Sequence, residues 1–151
     1  MVRMSDRLAF LIGDVSRLMR RRFDDRARQL GVTRPQWRTL VTLAREEGLQ
    51  QAALAERIEV EPITLCRMID RMAEAGLVER RRDPADRRAW NIYLTERSRP
   101  LIEQLRAIAD DVVDASLDGI APPERAALND ALARIRANLS AEPRYRETAH
   151  G

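Results

Sequence analysis

Seven arginines crowd into one short stretch of the chain: Arg67 and Arg71, then Arg80, Arg81 and Arg82, then Arg87 and Arg88. A guanidinium is planar, permanently charged and carries its donors in a fixed fork, which suits phosphate oxygens and the guanine edge. All 27 basic residues among the 151 are arginine and none is lysine. A genome rich in arginine codons would account for that bias, but not for where the arginines sit. The formal net charge of +3 is modest. Its distribution says more, because Glu103, Asp110, Asp111, Asp114 and Asp118 gather further along with only Arg106 between them. A chain polarised in this way presents one end to an anion and holds the other away.

Little else in the sequence could do chemistry. The single histidine is His150, close to the end, which removes histidine-based nucleophile activation and most transition-metal sites. There is no glycine-rich phosphate loop, no HExxH and no second cysteine. An enzyme, a metal and a cofactor are therefore not expected. Cys66 lies beside Arg67 and is either a small apolar filler or an oxidation-sensitive thiol. One cysteine excludes an intramolecular disulfide, and no stretch is apolar enough to span a membrane. Acids and arginines interrupt residues 1–14, so no secretory signal is expected and the predicted location is the cytoplasm.

The arginines need elements to hold them. Ala53, Leu54 and Ile58 recur at helical spacing over residues 50–57, and Glu59-Val60-Glu61 is a link short enough to make the next helix cross. Pro62 suits a first helical turn and Gly76 the position just past the end, so that helix is predicted from Pro62 to Ala75. Leu65, Met68, Ile69 and Met72 form its apolar stripe. Ile63, Thr64, Arg67 and Arg71 are left on the outer side. After Gly76 the period changes to alternation, through Leu77 to Arg82, and it returns in Trp90, Ile92 and Leu94. Asp83-Pro84-Ala85-Asp86 between them makes a turn with five arginines around it.

Helix, turn, helix and a basic hairpin make a winged helix, whose second helix enters a major groove while the wing follows the backbone or a minor groove. Thr64 and Arg67 are placed to reach base edges, and Ile63 a thymine methyl. Arg71, a turn further on, is either a phosphate contact or half of an intramolecular ion pair. Arg87 and Arg88 at the wing tip would enter a minor groove, with Asp86 holding an arginine in position. Arg80, Arg81 and Arg82 alternate across a strand and cannot all face DNA.

The rest of the chain reads as helices. Ser5 can cap a first one carrying Leu8, Leu11, Val15, Leu18, Met19 and Phe23, ended by Gly31. Thr33 and Gln36 have capping-box spacing for a second over residues 34–47, with Trp37, Leu40, Val41 and Ala44 inward. Thr95 is placed to cap a long helix over residues 96–117. Pro122-Pro123-Glu124 opens the last, where Leu128, Leu132, Ile135 and Leu139 keep a heptad-like spacing. Those terminal faces are wider than a small winged helix can cover. The predicted organisation is mainly α with a small β-hairpin wing: residues 5–32 and 96–140 a helical dimerisation region, 33–95 the winged helix-turn-helix and 141–151 a flexible tail. Packing of these helices within one chain is the alternative.

Asp86-Arg87-Arg88 followed by Leu94-Thr95 resembles the D-x-R and L-T wing signature of MarR-type transcription regulators. Residues 30–40 (LGVTRPQWRTL) and Glu79-Arg80 agree with it. Gln36-Trp37 and the D-R-R tip place the resemblance nearest the SlyA-like branch. It implies a homodimeric, sequence-specific regulator of double-stranded DNA, probing a palindromic operator as a ligand-responsive repressor. It further implies that a small aromatic carboxylate such as salicylate binds between the dimer helices and the winged helix. Trp37 would give such a ligand a flat wall and Arg17 or Arg20 a cation, although Trp37 as plain core and solvated arginines fit the same positions. A winged helix used only for protein–protein contact is the rival function.

Overall fold

The structure, a computed structural model, describes residues 3–141. His150 and the tail from residue 142 lie outside the described residues. Among the described residues six α-helices and three short strands follow in the order α1 (Met4–Gln29), α2 (Arg34–Arg45), β1 (Leu49–Gln50), α3 (Gln51–Ile58), α4 (Pro62–Glu74), β2 (Val78–Arg82), β3 (Trp90–Leu94), α5 (Arg99–Ser116) and α6 (Pro122–Ser140). A 3-10 turn at Glu96–Ser98 leads into α5. The described residues divide into two compact units, with the boundary between Val113 and Asp114.

The core of the first unit is built where the apolar stripes meet. Leu40 and Leu43 of α2, Leu54 and Ile58 of α3, Leu65, Ile69 and Met72 of α4, and Val78 and Ile92 of the sheet are all buried. Each such side chain contributes about 1.5–3 kcal/mol as an upper estimate. Ala27 of α1 and Ile102 and Leu105 of α5 belong to the same cluster. Within this unit the C-terminal part of α1 and the start of α5 therefore pack on the winged helix. Further towards its N-terminus α1 leaves Leu8, Leu11, Val15 and Leu18 about half exposed and Phe10 71% exposed. In the second unit Leu128, Leu132 and Leu139 of α6 are exposed.

Several elements differ from the sequence reading. The first helix begins at Met4, so Ser5 lies inside its first turn rather than capping it. Helix α2 ends at Arg45 and buries Thr39, Leu40 and Leu43, while Ala44 is exposed. Spacings of three and four are both helical, and burying the leucine removes more apolar surface from water than burying a methyl. The Thr33 N–H donates to Gln36 Oε1 at 2.9 Å, as a capping box requires.

The sheet has three strands in the order β1-β3-β2, all antiparallel, and β1 is the one the sequence did not show. It pairs Leu49 with Ile92 and Gln50 with Asn91. Gly48, just before it, has φ +80°, and a Cβ there would come within 2.9 Å of the Tyr93 ring. Thr95 stands ahead of the 3-10 turn, yet its hydroxyl donates to the Gly76 carbonyl instead of capping. That bond closes the end of α4 onto the base of the wing. The Thr95 carbonyl in turn accepts from Ser98 Oγ at 2.7 Å.

Candidate nucleic-acid interface

Helix α4 forms where Pro62 fixes the first turn and Gly76, at φ +74°, lets the chain leave after the C-cap Ala75. Burying Leu65, Ile69 and Met72 determines its rotation. The opposite face then follows from the 3.6-residue period: Ile63, Thr64, Arg67 and Arg71 are all exposed. Ile63 is 65% exposed, a large apolar side chain held in water by the packing of the other face. Of the two alternatives for Arg71, the ion pair is not formed among the described residues. Among the described residues Arg67, Arg71, Arg87 and Arg88 make no salt bridge.

The three arginines of β2 are used differently. Arg80 is mostly buried and ties three elements together: Nη1 donates to Asp70 of α4 at 2.5 Å, Nε to Gln51 of α3 at 3.0 Å, and Nη2 to the Cys66 carbonyl at 3.1 Å. Its guanidinium fixes the wing base against α4. Cys66 is half-buried, with its sulfur 3.8 Å from Arg80 Nη2. Arg81 pairs with Glu79 and lies over the Tyr93 ring at 4.1 Å. Arg82 lies over Trp90 at 3.9 Å.

The wing tip is organised chiefly by Asp83. Its Oδ1 accepts from the N–H groups of Ala85 at 2.7 Å and Asp86 at 3.2 Å, and its Oδ2 accepts from Gln50 Nε2 at 3.0 Å. These donors, the Gln50 amide first, hold the Asp83 carboxyl below the ordinary range. Asp86 serves the arginine after next through the backbone: Oδ1 accepts the Arg88 N–H at 3.0 Å, not a guanidinium. Arg87 and Arg88 are exposed at this tip.

A helix face and a loop, joined by Arg80 and each exposing guanidinium groups that make no salt bridge among the described residues, form a surface whose charge suits an extended polyanion. A model of the MarR family matches residues 32–90, which includes both parts of that surface. The crystal structure of the transcriptional regulator PA3341 is 38% identical with a TM-score of 0.72, the match covering 87% of this chain and 97% of that one. The chain belongs to the MarR family. It is a DNA-binding transcriptional regulator with a winged-helix fold. A MarR-family regulator from Silicibacter pomeroyi is 27% identical over 92% of this chain and 94% of its own, with a TM-score of 0.73. The transcriptional regulator SlyA is also 27% identical, covering 87% and 93% with a TM-score of 0.71.

A second feature of this MarR-family chain is an apolar concavity of about 320 Å³ lined by Met19, Arg20, Phe23, Trp37, Leu105 and Val112 among others. Phe23 meets Trp37 edge to face at 4.6 Å. Arg20 lines this space together with Trp37, whereas Arg17 is not among the lining residues and pairs with Asp14. Trp37 is held from behind by Asp24, a residue that sequence reasoning passed over. Asp24 is 9% exposed; its Oδ1 accepts Trp37 Nε1 at 2.8 Å and its Oδ2 accepts Arg34 Nε at 2.8 Å.

Burial raises the Asp24 pKa, but the hydrogen bonds from Arg34 and Trp37 and the charge of Arg34 outweigh it, leaving the carboxyl below its ordinary value. A lowered folded-state pKa gives stability that is present above about pH 4 and lost as the pH falls through the folded value. Asp24→Ala is expected to cost about 2 kcal/mol at neutral pH, since a half-buried indole N–H and a guanidinium lose a charged acceptor. Urea denaturation at pH 7 and at pH 3 checks this. The gap between wild type and variant should narrow at the lower pH, and an equal gap at both would contradict the account.

The signals for the missed residues are uneven. Asp83 precedes a proline within a D-P-A-D turn, and aspartate there commonly accepts backbone N–H groups two and three residues on. Arg82 could be paired with Trp90 once the hairpin register was known. Asp24 lies in an arginine-rich run of α1, and nothing local points to partners 10 and 13 residues away.

Proposed function

We propose that the protein is a homodimeric, ligand-responsive repressor acting on a palindromic operator in the cytoplasm, with half-sites about one helical turn apart. The observation that carries this reading is the set of four exposed guanidinium groups, Arg67 and Arg71 on α4 and Arg87 and Arg88 on the wing, that make no internal salt bridge among the described residues. Thr64 and Arg67 read base edges, Ile63 meets a thymine methyl, Arg71 holds a phosphate, and the wing arginines enter the minor groove. Asp86 fixes the backbone between them. The half-exposed leucines and valine along α1, and separately the exposed leucines of α6, support a second copy of the chain as the partner.

The effector would be a small aromatic carboxylate, its ring on Trp37 and its charge on Arg20. Arg17 makes a weaker candidate because its side chain is turned to Asp14. Placement nearest SlyA rests on Gln36-Trp37 in α2 and on Asp86-Arg87-Arg88. Selection of bound sites from random duplex DNA tests the central reading, with light scattering of the free protein beside it. An A·T-rich palindrome and a dimeric mass are expected. Salt-dependent binding without a motif would defeat the specific-regulator reading and favour an interaction module.

A further inference from the structure

The peptide joining Arg87 to Arg88 is gripped at both of its polar atoms. Its carbonyl, that of Arg87, accepts from Arg82 Nη1 at 2.8 Å. Its N–H, that of Arg88, donates to Asp86 Oδ1 at 3.0 Å. Arg82 is itself held in place from below, because its guanidinium lies 3.9 Å over the Trp90 ring, and Arg82 and Trp90 are directly paired across the hairpin. Asp83 and Asp86 complete the frame: the Asp83 N–H donates to the Ala89 carbonyl at 3.1 Å and the Ala89 N–H to the Asp86 carbonyl at 3.0 Å.

A charge at the wing need not be a contact. A guanidinium donating to a backbone carbonyl and stacked on an indole has a direction and a donor committed before DNA arrives. Such preorganisation is useful where two long side chains must enter a narrow groove, because ordering them on binding costs affinity. Lysine would keep the charge and lose both the planar stack and the fork.

We propose that Arg82, seated on Trp90, is a positioning residue that holds the Arg87–Arg88 peptide and so aims both wing arginines, rather than a phosphate contact in its own right. The proposal rests on the minor-groove reading of the wing given above. Its test has one arm that needs no DNA. The backbone order parameter of the Arg88 amide in the free full-length protein should fall from about 0.85 to below about 0.6 in Arg82→Lys. In the second arm, binding to a selected site with A·T-rich or G·C-rich flanks is titrated against salt. Arg82→Lys and Arg82→Ala should both lose about tenfold of the preference for A·T flanks, the size expected for losing a charge-assisted hydrogen bond. The salt slope should stay as in the wild type.

A lowered slope in Arg82→Ala that Arg82→Lys restores would show a direct phosphate contact and overturn the proposal. So would an unchanged order parameter in Arg82→Lys. Arg88→Ala separates the underlying reading: if it leaves the flank preference intact, the minor-groove role of the wing fails, whatever the order parameter shows.

Discussion

Leu11→Asp combined with Val15→Asp is expected to turn the proposed dimer into a monomer and to weaken binding to a two-half-site operator by at least about a hundredfold, the usual scale of lost avidity. Both side chains lie on α1, at 52% and 50% exposure, away from the buried cluster that includes Ala27. A charge placed there costs the isolated chain little, because no core contact is lost. In an interface between copies it would be a buried carboxylate without a partner, which is strongly unfavourable. The thermal midpoint of the free chain should therefore not fall at low concentration, while the mass by light scattering halves. A variant that remains a dimer with unaltered operator affinity would remove this face of α1 from the interface.

Arg67→Ala should produce the next largest change. One bidentate arginine–guanine contact is worth about 1–3 kcal/mol of discrimination, and a palindrome loses it in each half-site. Arg67 is exposed and makes no salt bridge among the described residues, so the fold has nothing to lose by its removal. Arg71→Ala provides the contrast. If Arg71 holds a phosphate, its removal weakens all sequences alike and lowers the salt slope by about one for each protomer. Arg67→Ala should instead relax specificity at one base position with the slope preserved. Competition titrations against a panel of single-base variants of the selected site would show the difference. Uniform weakening by Arg67→Ala would make it a phosphate contact too.

How far the sequence could lead depended on the range of the interactions involved. Helix α4 was legible because its limits and its rotation are local: Pro62 and Gly76 mark the ends, and Leu65, Ile69 and Met72 pick out the inner face. The exposed set on the other side, Ile63, Thr64, Arg67 and Arg71, follows from the helical period alone. Strand β1 was not legible, since Leu49-Gln50 is too short to show alternation and owes its conformation to pairing with Ile92 and Asn91. The choice between Leu43 and Ala44 as inward residues of α2 had the same character, because tertiary packing made it. Sequence pointed to Asp86 as the aspartate that matters at the wing. The structure gives Asp83 the larger share, as its carboxylate accepts from three groups. Arg80 had no assigned task for want of a view of Gln51, Asp70 and the Cys66 carbonyl converging on it.

The two tryptophans of the chain stand at different working parts of the molecule: Trp37 on the wall of the concavity, with its N–H fixed on Asp24, and Trp90 beneath Arg82 in the wing. Intrinsic fluorescence therefore divides into two channels. Trp37→Phe leaves emission that reports the wing, and Trp90→Phe leaves emission that reports the cavity. A stopped-flow record of each, without any attached dye, would test whether the proposed effector reaches the concavity and, if so, whether the wing responds before or after it.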